Sequence, residues 1–99
     1  MDCCLKIHRR EGEVRVAACD RDALGKTFSE GEFELRVERR FYGEETRKIE
    51  DVLDALQDAS IGNLTGNEIV KAAIMAGFVE EGCVLSIGGV KHAQFVVMH

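Results

Sequence analysis

Ninety-nine residues suffice for one hydrophobic core and are too few for two domains, so residues 1–99 are expected to form a single unit. The chain is 45% hydrophobic and 31% charged with no proline, which supports a folded core and excludes a disordered or low-complexity polymer. A net charge of −5 argues against non-specific coating of nucleic acid, and neither a leader nor a run of about 20 apolar residues is evident, so a cytoplasmic protein without membrane association is expected.

In chain order, residues 3–10 set Leu5 and Ile7 against Lys6 and His8, and residues 13–19 set Val14, Val16 and Ala18 against Glu13 and Arg15. A period of two predicts half-buried strands, and Glu11-Gly12 between them predicts a β-hairpin. Adjacent Cys3 and Cys4 then point to opposite faces, one buried and the other exposed. Asp20 is a candidate cap for a short helical turn through Ala23 and Leu24, which Gly25 ends. Residues 32–40 carry the clearest strand pattern, with Phe33, Leu35 and Val37 on a core face and Glu32, Glu34, Arg36 and Glu38 on a wet one.

From Ile49 the period becomes helical: Ile49, Val52, Leu53, Leu56 and Ala59 share a face, with Glu50, Asp51, Asp54 and Asp58 on or near the other. Residues 60–67, from Ser60 through Asn63 and Thr65 to Asn67, read as a tight turn between helices; leading into a helix N-terminus, they also form a potential anion site. A second helix is predicted after Gly66, with Asn67 as its cap and Ile69, Val70, Ala73 and Ile74 on one face up to Gly77. Residues 84–87 and 94–98 predict closing strands, with Gly88-Gly89 between them. Strands, then two helices, then strands predict an α+β fold: a small, mostly antiparallel sheet with two principal helices packed on one face.

Several motifs lose force on their chemistry. Gly25-Lys26-Thr27 resembles the end of a phosphate-binding loop, but the position where that loop needs its first glycine holds Asp20, whose charge repels phosphate. Asn63-Leu64-Thr65 has the form of a glycosylation acceptor without a secretory context. Cys3, Cys4, Cys19 and Cys83 make no close-spaced pair of the kind zinc requires, and no motif calls for a metal or a cofactor. His92 has the chemistry of an acid or base, yet no nucleophile or orienting carboxylate stands at a fixed spacing from it, and no catalytic residue is assigned.

Gly25-Lys26, Glu30-Gly31, Phe41-Tyr42-Gly43, Gly62-Asn63-Leu64-Thr65-Gly66 and Gly88-Gly89-Val90 with His92-Ala93-Gln94, taken in this order and spacing, resemble the archaeal domain-of-unknown-function family 424. The likeness runs from Leu5 to Gln94, with Lys91 where the family pattern has proline. It implies an archaeal cytoplasmic protein with no established activity to carry over. It also implies a genomic association with translation factors, which favours an RNA- or ribosome-related role.

Two functions follow as expectations. Residues 1–48 hold 11 basic and 11 acidic residues and residues 49–99 hold 2 and 7, which leaves room for an Arg-rich face on the N-terminal sheet beside the plainer reading of a mixed, solvated sheet face. The leading expectation is a binding module for RNA or a translation component, with Lys26, Arg36, Arg39 and Arg40 for phosphate and Tyr42 for a base, joined by the loops of Asn63, His92 and Gln94. The alternative is a small enzyme or small-molecule-binding domain with a pocket around Lys26, Asn63, His92 and Gln94. A structural protein held through the acidic helix of residues 49–59 is a third. The sequence leaves enzyme or non-enzyme, and the oligomeric state, open.

Overall fold

The first two strands are set by their turn. In the structure, a computed structural model that describes residues 2–97, β1 (Asp2–Arg10) and β2 (Glu13–Asp20) pair antiparallel with Arg10 opposite Glu13. Glu11 and Gly12 therefore make a two-residue turn with φ of 50° and 83°, the hand that matches strand twist. The predicted hairpin is present. A second such turn, through Gly88 and Gly89 at φ of 58° and 82°, joins β7 (Leu85–Ile87) to β8 (Val90–Val96). The expected strand at residues 94–98 thus begins earlier, and Met98 lies outside the described residues.

Both helical periods hold. Val52 and Leu56 of α2 (Ile49–Gln57) and Ile69, Val70 and Ala73 of α3 (Asn67–Met75) are buried together against Cys3, Leu5, Val16, Ala18 and Leu64 from one face of the sheet. No helix among the described residues is long and apolar enough to cross a membrane.

Residues 60–67 depart from expectation. Ile61–Thr65 is not a turn but a strand, β6, inserted between β2, to which it is parallel, and β8, to which it is antiparallel. Gly62 and Asn63 disfavour strands, which hid it. Gly62 is required because Phe95 of β8 lies directly opposite and its ring covers the glycine's backbone; a Cβ there would overlap the ring. With β5 (Thr46–Lys48) on β1, the sheet has six strands among the described residues, in the order β5-β1-β2-β6-β8-β7. It is therefore not small, although every pairing but β2 with β6 is antiparallel. The fold is a mixed helix and sheet architecture with three α-helices among the described residues.

A short helix earlier in the chain, and a second cluster, lie on the opposite face. The strand expected over residues 32–40 stops at Arg36: β4 (Phe33–Arg36) pairs with β3 (Thr27–Glu30) in a separate two-stranded sheet, and Phe33 is exposed. Val37 then turns inward, and Arg39–Tyr42 form the short helix α1. Val37, Tyr42 and Ala23 cover Cys4, Ala17 and Cys19. Both neighbouring cysteines are consequently buried, Cys3 in one cluster and Cys4 in the other, in place of the expected pair with one at the surface.

Both predicted caps are also reassigned. The Asp20 side chain makes no bond to the 3-10 turn that follows it. Its two oxygens accept the backbone N–H groups of Glu68 and Ile69, each at 2.9 Å, and so cap α3. Asn67 ties the last hairpin instead, accepting from Lys91 N at 2.9 Å and donating to the Gly89 carbonyl at 3.2 Å.

Candidate functional site

Register decides which side chains reach the half of the sheet that α1 and the β3–β4 hairpin leave open. Lys6, Ala17, Asn63 and Gln94 stand in one cross-strand row, and Cys4, Cys19, Thr65 and His92 in the next. Lys6 Nζ donates to the Arg40 carbonyl at 2.9 Å and His8 Nε2 lies 3.0 Å from the Phe41 carbonyl, which hold α1 over β1. The His8 and Phe41 rings stack with centroids 5.3 Å apart, and Tyr42 meets Phe41 edge-on. Tyr42 thereby sends its hydroxyl to the sheet surface.

There a connected run of side chains begins. The Tyr42 hydroxyl is 2.8 Å from Thr65 Oγ1 and donates to Asn63 Oδ1 at 3.2 Å. Thr65 Oγ1 is 2.8 Å from His92 Nδ1, and His92 Nε2 is 3.0 Å from Gln94 Nε2. Burial lowers the His92 pKa below its ordinary 6.5, so the ring is neutral at pH 7. Burial likewise raises the Tyr42 phenol, whose bond with Thr65 opposes the shift only in part. The Thr65 and His92 pair has the distance of a base beside a nucleophile, but Thr65 is fully buried, so no substrate reaches its hydroxyl.

Above this run lies an open hollow of about 500 Å³, lined by Arg36, Arg40, Tyr42, Asn63, His92 and Gln94 together with His8, Leu35, Glu38 and Phe41. Six of the eight residues singled out from the sequence thus come together. A smaller hollow of about 270 Å³ shares His8 and Phe41 with it and adds Arg10, Glu13 and Arg15. The two form one track lined by four arginines and two glutamates on a chain of net charge −5; Arg36 is paired with Glu34 at 2.7 Å and Arg15 with Glu13 at 3.5 Å, both pairs exposed at the surface.

Lys26 and Arg39 are not part of it. Arg39 donates to Glu44 Oε1 at 2.8 Å and lies over Gly25. Lys26 lines a separate cleft of about 660 Å³ in which Asp2, Asp20, Asp22 and Glu68 outnumber Arg21 and Lys26. Larger as it is, that cleft repels phosphate. The anion site expected before the second helix is likewise filled, because the Asp20 carboxylate already takes the Glu68 and Ile69 N–H groups.

His8, Arg10 and Arg15 were missed. Their signal was present: Lys6, His8 and Arg10 alternate along β1, and Arg15 falls opposite His8 once the Glu11-Gly12 turn sets the register. Thr65 stands in the sequence only within a turn, a potential anion site and a glycosylation-like triplet, and its place in β6 is what brings its hydroxyl to His92.

Known proteins bear on the fold more than on the site. The chain is similar to the crystal structure of an uncharacterized conserved protein from Methanopyrus kandleri, with a TM-score of 0.79 and 24% identity, covering 96% of this chain and 90% of that one. That likeness shows the fold alone. A search of curated proteins finds no match. The model of a family described as protein of unknown function, DUF424, matches residues 8–98.

Proposed function

The chain belongs to the DUF424 family, and from that premise we propose that it is a binding module in translation or RNA metabolism that holds single-stranded RNA along the track from Arg15 to Gln94. The observation that carries this is the local reversal of charge: Arg10, Arg15, Arg36 and Arg40 gather around stacked rings and a floor of carboxamides, while the chain as a whole is acidic. Guanidinium groups match phosphate, and unpaired bases offer faces and edges to the rings and amides between them. Net acidity supplies long-range repulsion, so binding is modest and depends on the track.

A salt titration tests it. Three neutralised phosphates give a log–log slope of roughly −2 for single strands, and replacing Arg36 and Arg40 by alanine flattens it by about 0.7 for each phosphate left without its guanidinium. Arg39→Ala and Lys26→Ala leave the slope close to wild type. Absence of binding at low salt removes this function.

A second reading rests on the hollow itself, whose volume of about 500 Å³ falls in the range of small-ligand pockets. Here Asn63, His92 and Gln94, without Lys26, would hold a small molecule. Saturable binding of a metabolite with no affinity for RNA would select it.

A further inference from the structure

The polarity of the buried hydrogen-bond run follows from one of its ends. An amide nitrogen has no lone pair to offer, so Gln94 Nε2 must donate to His92 Nε2 across their 3.0 Å separation. His92 Nε2 is then bare, and in the neutral ring the proton sits on Nδ1, which donates to Thr65 Oγ1. Thr65 in turn gives its proton to the Tyr42 oxygen, and Tyr42 gives its own to Asn63 Oδ1. Every donor points the same way, and among the described residues no buried side-chain polar atom lacks a partner.

The two ends of this run face the hollow. Asn63 has committed its oxygen and keeps Nδ2 as a free donor; Gln94 has committed its nitrogen and keeps Oε1 as a free acceptor. The two residues are directly opposite on β6 and β8, so donor and acceptor stand side by side, about 5 Å apart at the Cβ atoms. A ligand that satisfies both presents an acceptor next to a donor, as the Watson–Crick edge of an unpaired nucleobase does.

Resting on the RNA-binding proposal, we infer that Asn63 and Gln94 read the hydrogen-bonding edge of one unpaired nucleobase, and that Tyr42, Thr65 and His92 are positioning residues that hold the two carboxamides in the required orientation. Arg36 and Arg40, on the walls of the same hollow, take the phosphates flanking that base. Without the buried run each carboxamide turns freely, and half its orientations set donor against donor or acceptor against acceptor.

The test compares ten-nucleotide RNA with an abasic ribose-phosphate strand of the same length, by fluorescence anisotropy at low salt. Wild type is expected to bind the base-bearing strand about tenfold more tightly. Asn63→Ala and Gln94→Ala lose that margin. Thr65→Val also loses most of the margin although Thr65 does not line the hollow, and Thr65→Ser restores it; Tyr42→Phe, which removes one hydroxyl, supplies an independent break should Thr65→Val fold poorly. Equal affinity for a mononucleotide supports the edge reading and makes free nucleotides the source. If wild type binds both strands equally, or the variants keep the margin, the inference is overturned and phosphate-driven RNA binding stands. If no strand binds, abasic included, the function itself falls.

Discussion

The Asp20 carboxylate, at the end of β2, accepts the backbone N–H of Ile69 at 2.9 Å, a bond between residues 49 apart that fixes where α3 begins. Its partner oxygen takes Glu68 N, and Gly66, at φ 131°, lies so close that a Cβ would run into the Asp20 side chain. Asp20→Ala is expected to cost about 1–2 kcal/mol through loss of the helix cap, with Asp20→Ser recovering part. Gly66→Ala should cost more, since it combines a strained φ with a collision. Denaturant melts decide: an unchanged midpoint for both variants would show that α3 does not depend on this cap.

Gly62 and Phe95 should behave as one unit. Gly62→Ala forces the Phe95 ring off the strand, and a loss of about 2–4 kcal/mol is expected from displaced packing. Once Phe95→Ala has removed the ring, adding Gly62→Ala should cost little. A double-mutant cycle measures this, and additive losses would contradict the close approach of ring and backbone.

The buried imidazole gives the fold a pH dependence of known sign. His92 has a lower pKa folded than unfolded, so the folded state binds fewer protons as pH falls below about 6.5. The stability it contributes is present above 6.5 and is lost as pH falls through its depressed folded value. Asp20 runs the other way: burial raises its pKa above 3.8 against the two N–H bonds that lower it, so its contribution is present below 3.8 and is lost as pH rises through the folded value. Subtracting the two curves separates them. The melting midpoint of wild type should fall more than that of His92→Gln between pH 7.5 and pH 5, and parallel curves would refute the assignment.

Thiol chemistry should split one against three. Cys83 is exposed, whereas burial pushes Cys3 and Cys19 up to about 12 and raises Cys4 as well. At pH 8 only about one in ten thousand of the two most shifted thiols is ionised. A thiol-reactive dye should label one cysteine quickly in the native protein and all four in denaturant. Rapid labelling of Cys4 or Cys19 in the native protein would show that the cover formed by Ala23, Val37 and Tyr42 opens.

What the sequence determined by itself was local. Alternation in β1 and β2 and the helical period of α2 and α3 are short-range patterns, and each names its buried face within a few residues. The Glu11-Gly12 and Gly88-Gly89 turns are equally local, because positive φ at both central residues is a property of the turn alone. Arg36, Arg40, Tyr42, Asn63, His92 and Gln94 were legible as chemistry without being legible as neighbours. Tertiary structure decided the rest. Ile61–Thr65 is a strand because β2 and β8 flank it and Phe95 covers its glycine, not because its residues prefer one. Asp20 caps α3 because the sheet brings the end of β2 beside Gly66. Lys26 and Arg39, sound choices by charge, are separated from the track: Lys26 lines the acidic cleft, and Arg39 bonds to Glu44. Pairings between residues tens of positions apart leave no period in the chain, and so the site's membership was settled only where the strands were ordered side by side.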